Sequence, residues 1–338
     1  MRAHRPARRL ARVKIVDSHA HIWGKGFVPP AFFRRAAEQW AAKAPDRTPG
    51  MIMPKLLSGI VDQTGDDFIA NMNRAGVDVS LIMMLDVGEP VFREEPEASL
   101  EQQIEFYADL QQRHRGRLFC HVAADFRRPG HLDLIRRAIV HGGLVGIGEI
   151  TPDGFSIADD AIRPTMKLAS ELGIPVQLHT RTGVWTDLSG NDFSEANTVH
   201  PVHAARLARE LPDLKLILCH AGFPHWWHAA GAAIIDLPNC VLDISNWNED
   251  FHENEGELVA RLATWRSLVG IDRILFASDQ PSGVRFTGDR STLREWVAFI
   301  RDLPKNAARW GYRFTTDEAE AILGRNAARF YNLPEQLS

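Results

Sequence analysis

The 338-residue chain is poor in several features that would set it apart from ordinary globular proteins. It has only three cysteines, Cys120, Cys219 and Cys240, which are too few and odd in number for a disulfide framework. Each lies in or beside an apolar run, so we expect buried free thiols and a cytoplasmic protein. No apolar run approaches the ~20 residues that span a bilayer. The N-terminus also lacks the continuous apolar stretch of a secretory signal.

The chain likewise has little excess charge of either sign, with a formal net charge of −4. A balance of this kind gives no reason to expect a nucleic-acid or membrane partner. Arginines cluster only in residues 1–12, which we interpret as a flexible basic tail. A hydrophobic fraction of 45% is ample for a large core, so residues 13–338 are expected to form a single domain.

Eight short apolar runs recur along the chain, and most lack the polar alternation of a half-exposed strand: Val13–Val16, Val77–Leu85, Leu118–Ala123, Leu144–Ile150, Ile174–Leu178, Leu214–Leu218, Val241–Ile244 and Ile274–Ala277. Runs of this kind are typical of parallel strands covered on both faces. Stretches with helical spacing lie between them: Leu100–His114, Leu132–His141, Ile162–Leu172, Ala204–Leu211, Leu258–Leu268 and Leu293–Leu303. This order predicts an α/β fold, a (β/α)8 TIM barrel.

Two segments depart from the regular alternation: an insertion after the first run, and a polar loop, Thr180–His200, after the fifth. An insertion at about residues 23–65 is rich in proline and carries one helix-like piece, Ala31–Ala42. It is a candidate lid over the barrel mouth, a homo-oligomer contact or a surface decoration. Near the other end, Thr315 and Glu318 have the spacing of a capping box, which predicts a last helix over Asp317–Phe330.

The chemistry begins at the end of the first run, in the sequence VDSHAH. Because side chains alternate along a strand, His19 and His21 point to the same side. Two imidazoles so placed suit half of a zinc site, and Asp17 is a candidate to support them from behind. An H-x-H pair alone is weak evidence, so the remaining candidates decide its meaning.

Further metal-competent side chains end later runs: Glu149 after the fourth, His179 after the fifth, His220 after the sixth and Asp279 after the eighth. Barrel enzymes place their active sites at this carboxyl edge of the strands. Burying so many polar groups without partners would be costly. The pattern therefore predicts a site for one or two divalent metal ions, with zinc the first choice.

Three of these residues have predicted roles. Asp279 could ligate the metal and accept a proton from bound water, whose pKa the metal lowers from ~15.7 toward ~7. His220 could bind a second ion or, uncoordinated, stabilise an oxyanion. Glu149 could bridge two ions, ligate one, or orient a ligand histidine.

The substrate is expected to be a small molecule. Arg181, two residues beyond His179, could pair with a carboxylate or phosphate of the substrate, or else form a surface ion pair. Trp23, Trp185 and Trp247 follow strand ends and are expected to wall the binding pocket.

The motifs VDSHAH, GIGEI, PVQLHT, LILCHAG, ILFASDQP and ILGRNAARFYNL, in this order from Ile15 to Leu333, resemble the amidohydrolase superfamily. The branch they resemble is the amidohydrolase-2 family, which includes decarboxylases. The resemblance implies a (β/α)8 fold in which His19, His21, His179 and Asp279 hold the ion. His220 would lie beside it as a catalytic residue or further ligand.

The resemblance also implies two activities. One is a metal-dependent hydrolase that uses metal-activated water on an amide, ester or lactone. The alternative is a metal-dependent, non-oxidative decarboxylase of an aromatic or dienoic acid. Many decarboxylases of the branch replace the first histidine of the H-x-H pair with glutamate. This chain keeps both His19 and His21, which favours hydrolysis, although some decarboxylases of the branch also keep both.

Overall fold

A computed structural model of the chain describes residues 14–42, 46–181, 198–249, 251–283, 287 and 291–334. Its strands form one sheet in which every pairing is parallel and sequence neighbours lie side by side. The strands are β1 (Val16–His21), β2 (Val79–Ile82), β3 (Leu118–Val122), β4 (Gly146–Ile150), β5 (Pro175–His179), β6 (Lys215–Cys219), β7 (Cys240–Asp243), β8 (Ile274–Leu275) and β9 (Gln280–Pro281).

The last two strands are halves of one barrel strand. β8 pairs with β7, and β9 pairs with β1. Between them, the Ser18 amide donates to the Phe276 carbonyl at 3.0 Å, and the Asp279 amide donates to the His19 carbonyl at 2.8 Å. These bonds join the eighth strand to the first and close the sheet, so the predicted (β/α)8 barrel is confirmed.

The helices of the described residues surround this sheet. They are α1 (Pro30–Ala42), α2 (Pro49–Gly59), α3 (Asp66–Ala75), α4 (Glu89–Phe92), α5 (Leu100–Arg113), α6 (His131–Val140), α7 (Arg163–Leu172), α8 (Pro201–Glu210), α9 (Trp227–Ala233), α10 (Glu255–Val269), α11 (Leu293–Arg301), α12 (Leu303–Ala308), α13 (Thr316–Glu320) and α14 (Asn326–Phe330). A π-helical turn, Ala321–Arg325, joins α13 to α14. The capping box of Thr315 and Glu318 opens this final segment as predicted.

The first strand begins later and ends later than the predicted Val13–Val16. β1 runs over Val16–His21, and all six of its residues are buried. The prediction was wrong because it followed apolar residues, whereas the polar residues of this strand find partners inside the barrel. The Ser18 hydroxyl, for example, donates to the Phe276 carbonyl at 2.8 Å. The two histidines lie in β1, and His21 closes the strand, as predicted.

The predicted insertion contains two packed helices, α1 and α2, rather than one. Hydrogen bonds hold both ends of the insertion beside the barrel mouth. The Asp62 amide donates to the Trp23 carbonyl at 2.9 Å. The Ser282 hydroxyl accepts from the Trp23 amide and donates to the Ile60 carbonyl. The insertion therefore begins and ends next to β9, close to the residues of the candidate site.

The three cysteines are free and buried, as predicted. Within the described ranges, the structure contains no helix that is both long enough and apolar enough to cross a bilayer.

The barrel interior contains a polar layer that apolar patterning did not predict. Gln177 donates from its side-chain nitrogen to the Ser18 carbonyl at 2.6 Å and to the Tyr331 hydroxyl at 2.7 Å.

The His121 ring packs edge-on against Tyr331, with 5.5 Å between ring centroids. Gly146 leaves room for this ring, because a Cβ there would overlap it. Burial, together with the charge of His19, lowers the pKa of His121 from 6.5 to about 3.

This buried histidine makes the fold sensitive to acid. Its pKa is lower in the folded than in the unfolded chain, so the unfolded chain takes up a proton first as pH falls below 6.5. Stability is then lost between pH 6.5 and pH 3. Between pH 7 and pH 5 this one group accounts for about 2 kcal/mol. We expect His121→Leu to reduce the loss of unfolding free energy over this interval, measured by urea denaturation.

The matched control is His252→Gln, which removes a histidine whose side chain is 62% exposed. This control should follow the wild-type pH dependence. If His121→Leu loses as much stability as wild type on going to pH 5, another group is responsible for the acid sensitivity.

Candidate metal centre

The carboxyl ends of the strands bring all six predicted donor residues into one cluster. Ligand atoms of His19, His21 and Asp279 lie within 4.8 Å of one another, and so do those of Glu149, His179 and His220. The first set comes from β1 and the segment between β8 and β9. The second comes from β4, β5 and the residue that follows β6.

In the first set, two ring nitrogens face each other. The Nε2 atoms of His19 and His21 are 3.2 Å apart, and Asp279 Oδ1 lies 3.1 Å from the second of them. The Nδ1 atoms point away, that of His19 to Asp243 Oδ2 at 3.0 Å and that of His21 to the Met83 carbonyl at 3.1 Å. Each of those acceptors calls for a proton on Nδ1, which leaves a lone pair on each Nε2. With both rings neutral, two lone pairs and a carboxylate this close would repel one another, and positive charge among them, a proton on His19 or a metal ion, removes the repulsion.

In the second set, Glu149 lies at the centre. Its Oε1 is 2.7 Å from His179 Nδ1 and 3.0 Å from His220 Nε2. Its Oε2 lies 3.5 Å from His19 Nε2 and 3.7 Å from His21 Nε2. One oxygen therefore faces each set, which is the position of a carboxylate that could bridge two ions. His179 Nε2 is buried without a hydrogen-bond partner among the described residues, so it too could serve as a donor atom.

The electrostatics of the cluster call for positive charge. Burial would raise the pKa of Glu149, but His179 and His19 hold it well below its ordinary value. Burial would likewise raise the pKa of Asp279, but its hydrogen bond with His21 and the nearby histidines lower that pKa below its ordinary value. Burial would lower the pKa of His19, but Glu149 and other negative groups raise it well above the ordinary value. Ionised carboxylates buried among imidazoles make a donor set that fits a divalent metal ion.

Sequence reasoning missed Asp243, which contacts two of the histidines. Its Oδ2 accepts a hydrogen bond from His19 Nδ1. Its Oδ1 accepts from the backbone amides of His220 and Ser245 at 2.9 Å and 3.0 Å. The Ser245 hydroxyl donates to the same Oδ1 and lies 2.8 Å from His220 Nδ1. The available signal was a carboxylate at the end of a strand. Asp243 was not predicted because the apolar run Val241–Ile244 continues beyond it.

Asp17, the predicted supporting residue, instead joins β1 to the eighth barrel strand. Its two oxygens accept from the Ser278 amide at 2.9 Å and the Ser278 hydroxyl at 2.6 Å. It therefore fixes the backbone next to Asp279, and Asp243 supports the His19 ring.

The backbone is left-handed at three positions of the site, with φ of 61° at His220, 64° at Asn246 and 53° at Asp279. Residues other than glycine adopt this conformation at a cost of about 1–3 kcal/mol, and such residues cluster at functional sites. Asn246 donates to Asp279 Oδ2 at 2.7 Å, which turns Oδ1 toward His21.

The predicted substrate residues lie in different surroundings. The Trp23 ring stacks on His21 with 5.7 Å between centroids, at the edge of the metal cluster. Trp247 is buried, and its ring nitrogen donates to the His220 carbonyl at 2.8 Å. Arg181 forms an ion pair with Glu249 at 2.9 Å, which favours the surface-pair interpretation over a substrate clamp. Trp185 lies outside the described residues. Contact of these side chains with a substrate stays a prediction.

The fold and this site together define a (β/α)8 barrel with a candidate metal centre at the carboxyl edge of its strands. The chain belongs to the amidohydrolase family Amidohydro_2, whose model matches residues 16–333. Family membership supports an enzyme. A comparison with curated protein sequences finds no match.

Solved structures share the fold at low sequence identity. 5-Carboxyvanillate decarboxylase LigW from Sphingomonas paucimobilis is 18% identical with a TM-score of 0.64, over 96% of this chain and 100% of that one. A dihydroxybenzoic acid decarboxylase from a Polaromonas species, with bound manganese and the inhibitor 2-nitroresorcinol, is 16% identical with a TM-score of 0.61, over 95% and 98%. A probable 2-pyrone-4,6-dicarboxylic acid hydrolase from Acinetobacter baumannii is 11% identical with a TM-score of 0.55, over 95% and 100%.

The contacts of Asp243 generate a prediction about metal affinity. Asp243→Asn keeps the shape of the side chain but removes the charge that orients the His19 ring. Loss of such a supporting partner weakens metal binding by about 10- to 100-fold. We expect that change in the Kd for Mn²⁺ or Zn²⁺, measured by competition with a chelator.

Asp62→Asn is the matched control, since Asp62 is also buried and also accepts backbone N–H bonds, from Gly65 and Phe68, but touches no imidazole. Equal metal affinities in the two variants would show that Asp243 does not support the centre.

Proposed function

We propose that the chain is a metal-dependent hydrolase that uses activated water on an amide, ester or lactone of a small molecule. The observation that supports this proposal is the position of Glu149, one oxygen of which faces each donor set. Two adjacent ion sites that share a carboxylate are well suited to activating water and polarising a carbonyl. The donor set suits a divalent metal ion, with zinc as the first choice and manganese as an alternative.

A divalent ion held by His19, His21, Asp279 and the Glu149 set would supply a Lewis acid and lower the pKa of a water molecule. Asp279 would accept a proton from that water and return it to the leaving group. Its Oδ2 is held by Asn246, so Oδ1 keeps one direction, toward the histidine pair.

The bonds around His220 favour one of its two predicted roles. Because the Ser245 hydroxyl donates its only proton to Asp243, it must accept from His220 Nδ1. A neutral His220 then has a lone pair on Nε2, directed toward Glu149 and His179. In that state it suits a metal ligand or a proton acceptor better than a donor to an oxyanion.

A second candidate is non-oxidative decarboxylation of an aromatic or dienoic acid at the same centre. It is supported by two of the similar structures, which are decarboxylases of substituted benzoates. Retention of both His19 and His21 favours hydrolysis, as argued from the sequence. Cytoplasmic location and a homo-oligomeric state stay predictions.

The test combines metal content, variants and product analysis. We expect the purified protein to bind one to two equivalents of divalent metal. We expect Asp279→Asn to lower kcat/KM on a responsive ester, amide or lactone by about 10²- to 10⁴-fold, because a positioned acid or base contributes this much. The control is Asp213→Asn, an exposed carboxylate before β6, at the opposite end of the barrel.

Product analysis separates the two candidates. Incorporation of ¹⁸O from water into the product supports hydrolysis. Release of carbon dioxide from hydroxybenzoates, without incorporation of water, supports the lyase. Full activity in the metal-stripped protein or in Asp279→Asn would rule out both mechanisms.

A further inference from the structure

The three cysteines pack into different parts of the barrel. Cys120 and Cys240 belong to the large core that the strands share with the surrounding helices. Cys219, at the end of β6, belongs to a separate, smaller core made mainly of strand residues, among them Ile217. These two residues are two positions apart in β6 and share one face of the sheet, opposite to the face that packs on the helices. Cys219 is therefore the cysteine whose thiol faces the barrel interior.

The Cys219 sulfur lies at the edge of the donor cluster. With His19 and Glu149 it forms a group whose potential ligand atoms all lie within 4.8 Å of one another, and none of the three residues is more than 6% exposed. Zinc binds nitrogen or oxygen at about 2.0–2.2 Å and sulfur at about 2.3 Å, so tetrahedral ligands of one ion lie roughly 3.3–3.7 Å apart. The three side chains are thus within about 1.5 Å of the separations that ligands of a shared ion adopt.

A hydrogen bond fixes the position of this thiol. The Cys219 sulfur donates to Gln177 Oε1 at 3.4 Å. The side-chain nitrogen of Gln177 donates to the Ser18 carbonyl and to the Tyr331 hydroxyl, which uses both of its protons. The amide cannot turn over without losing these two bonds, so its oxygen stays toward the sulfur. The thiol is therefore held beside the donor cluster.

We propose that Cys219 is a thiolate ligand of the metal centre, together with His19 and Glu149, and that it makes the centre select zinc over manganese. Thiolate donors favour zinc, whereas carboxylate, carbonyl and water oxygens suit manganese. The inference rests on the metal centre of the proposed function. It deepens that proposal by adding a donor atom and by deciding between the two ions.

Binding at this sulfur exchanges a proton for the ion. The group that donates to Gln177 is a protonated thiol. On binding, the S–H bond breaks, a bond from sulfur to the ion forms, and the proton passes to solvent, because a coordinated thiol is deprotonated. The thiolate adds its negative charge to those of Glu149 and Asp279, which favours a divalent ion further.

Cobalt(II) reports directly on a sulfur ligand. A thiolate bound to Co²⁺ gives a strong charge-transfer band in the near ultraviolet that imidazole and carboxylate ligands lack. The full-length protein, stripped of metal, is titrated with Co²⁺ while its absorption is recorded. We expect the band in wild type and in the Cys120→Ser/Cys240→Ser double variant, which keeps the thiol of Cys219. We expect its loss in Cys219→Ser, whose hydroxyl can still donate to Gln177.

Metal affinities give a second readout. Competition with a chelator measures the Kd for Zn²⁺ and for Mn²⁺ in the same three proteins. We expect Cys219→Ser to weaken Zn²⁺ binding by at least ~10-fold and to change Mn²⁺ binding by at most about threefold. The double variant should keep both wild-type affinities. Melting temperatures of the metal-free proteins establish that the variants are folded.

The outcomes separate this inference from the proposed hydrolysis. A cobalt–thiolate band that depends on Cys219, in a protein that hydrolyses no ester, amide or lactone, would leave Cys219 as a ligand and remove the hydrolase proposal. Metal-dependent hydrolysis without such a band would do the reverse. Failure to bind Co²⁺, absence of the band in wild type, its persistence in Cys219→Ser, or an equal loss of Zn²⁺ and Mn²⁺ affinity would overturn the assignment of Cys219.

Discussion

The site depends on positive charge placed between two imidazoles and the carboxylates beside them. The Nε2 atoms of His19 and His21 face each other at 3.2 Å, with Asp279 and Glu149 beside them, and the opposite side of each ring already faces an acceptor. Moving these groups apart would break the bonds to Asp243 and Met83. A cation at the centre lets every contact be kept. The cluster is therefore a preorganised candidate site for a divalent ion.

The barrel supplies this preorganisation from several directions. Parallel pairing around the barrel points β1, β4 and β5 in the same direction, so their carboxyl ends meet at one edge. Where regular strand geometry would point a side chain elsewhere, the backbone turns to a left-handed conformation, as at His220 and Asp279. Behind the donor residues, Asp243 engages two histidines and Asn246 holds Asp279. The supporting bonds are as much part of the site as the donor atoms.

The surroundings of the centre bear on selectivity. The guanidinium groups near the mouth are engaged, Arg181 by Glu249 and Arg127 and Arg128 by Asp125 and Asp86. A carboxylate-rich substrate would find no uncommitted cation among these three side chains. A shared barrel and a shared donor set do not determine substrate selectivity, because selectivity depends on the side chains around the centre.

The barrel and the six candidate donor residues could be predicted from the chain's residues alone, for a physical reason. Parallel strands covered on both faces need continuous apolar runs, and a polar residue at the end of such a run stands out. The same reasoning misplaced β1, since its polar residues are buried, and it passed over Asp243, since an apolar residue follows it. The contact between Asp243 and His19 and the ion pair of Arg181 with Glu249 became visible only in the folded chain. These contacts join residues distant in sequence, and local periodicity carries no information about the direction of a side chain after its strand has ended.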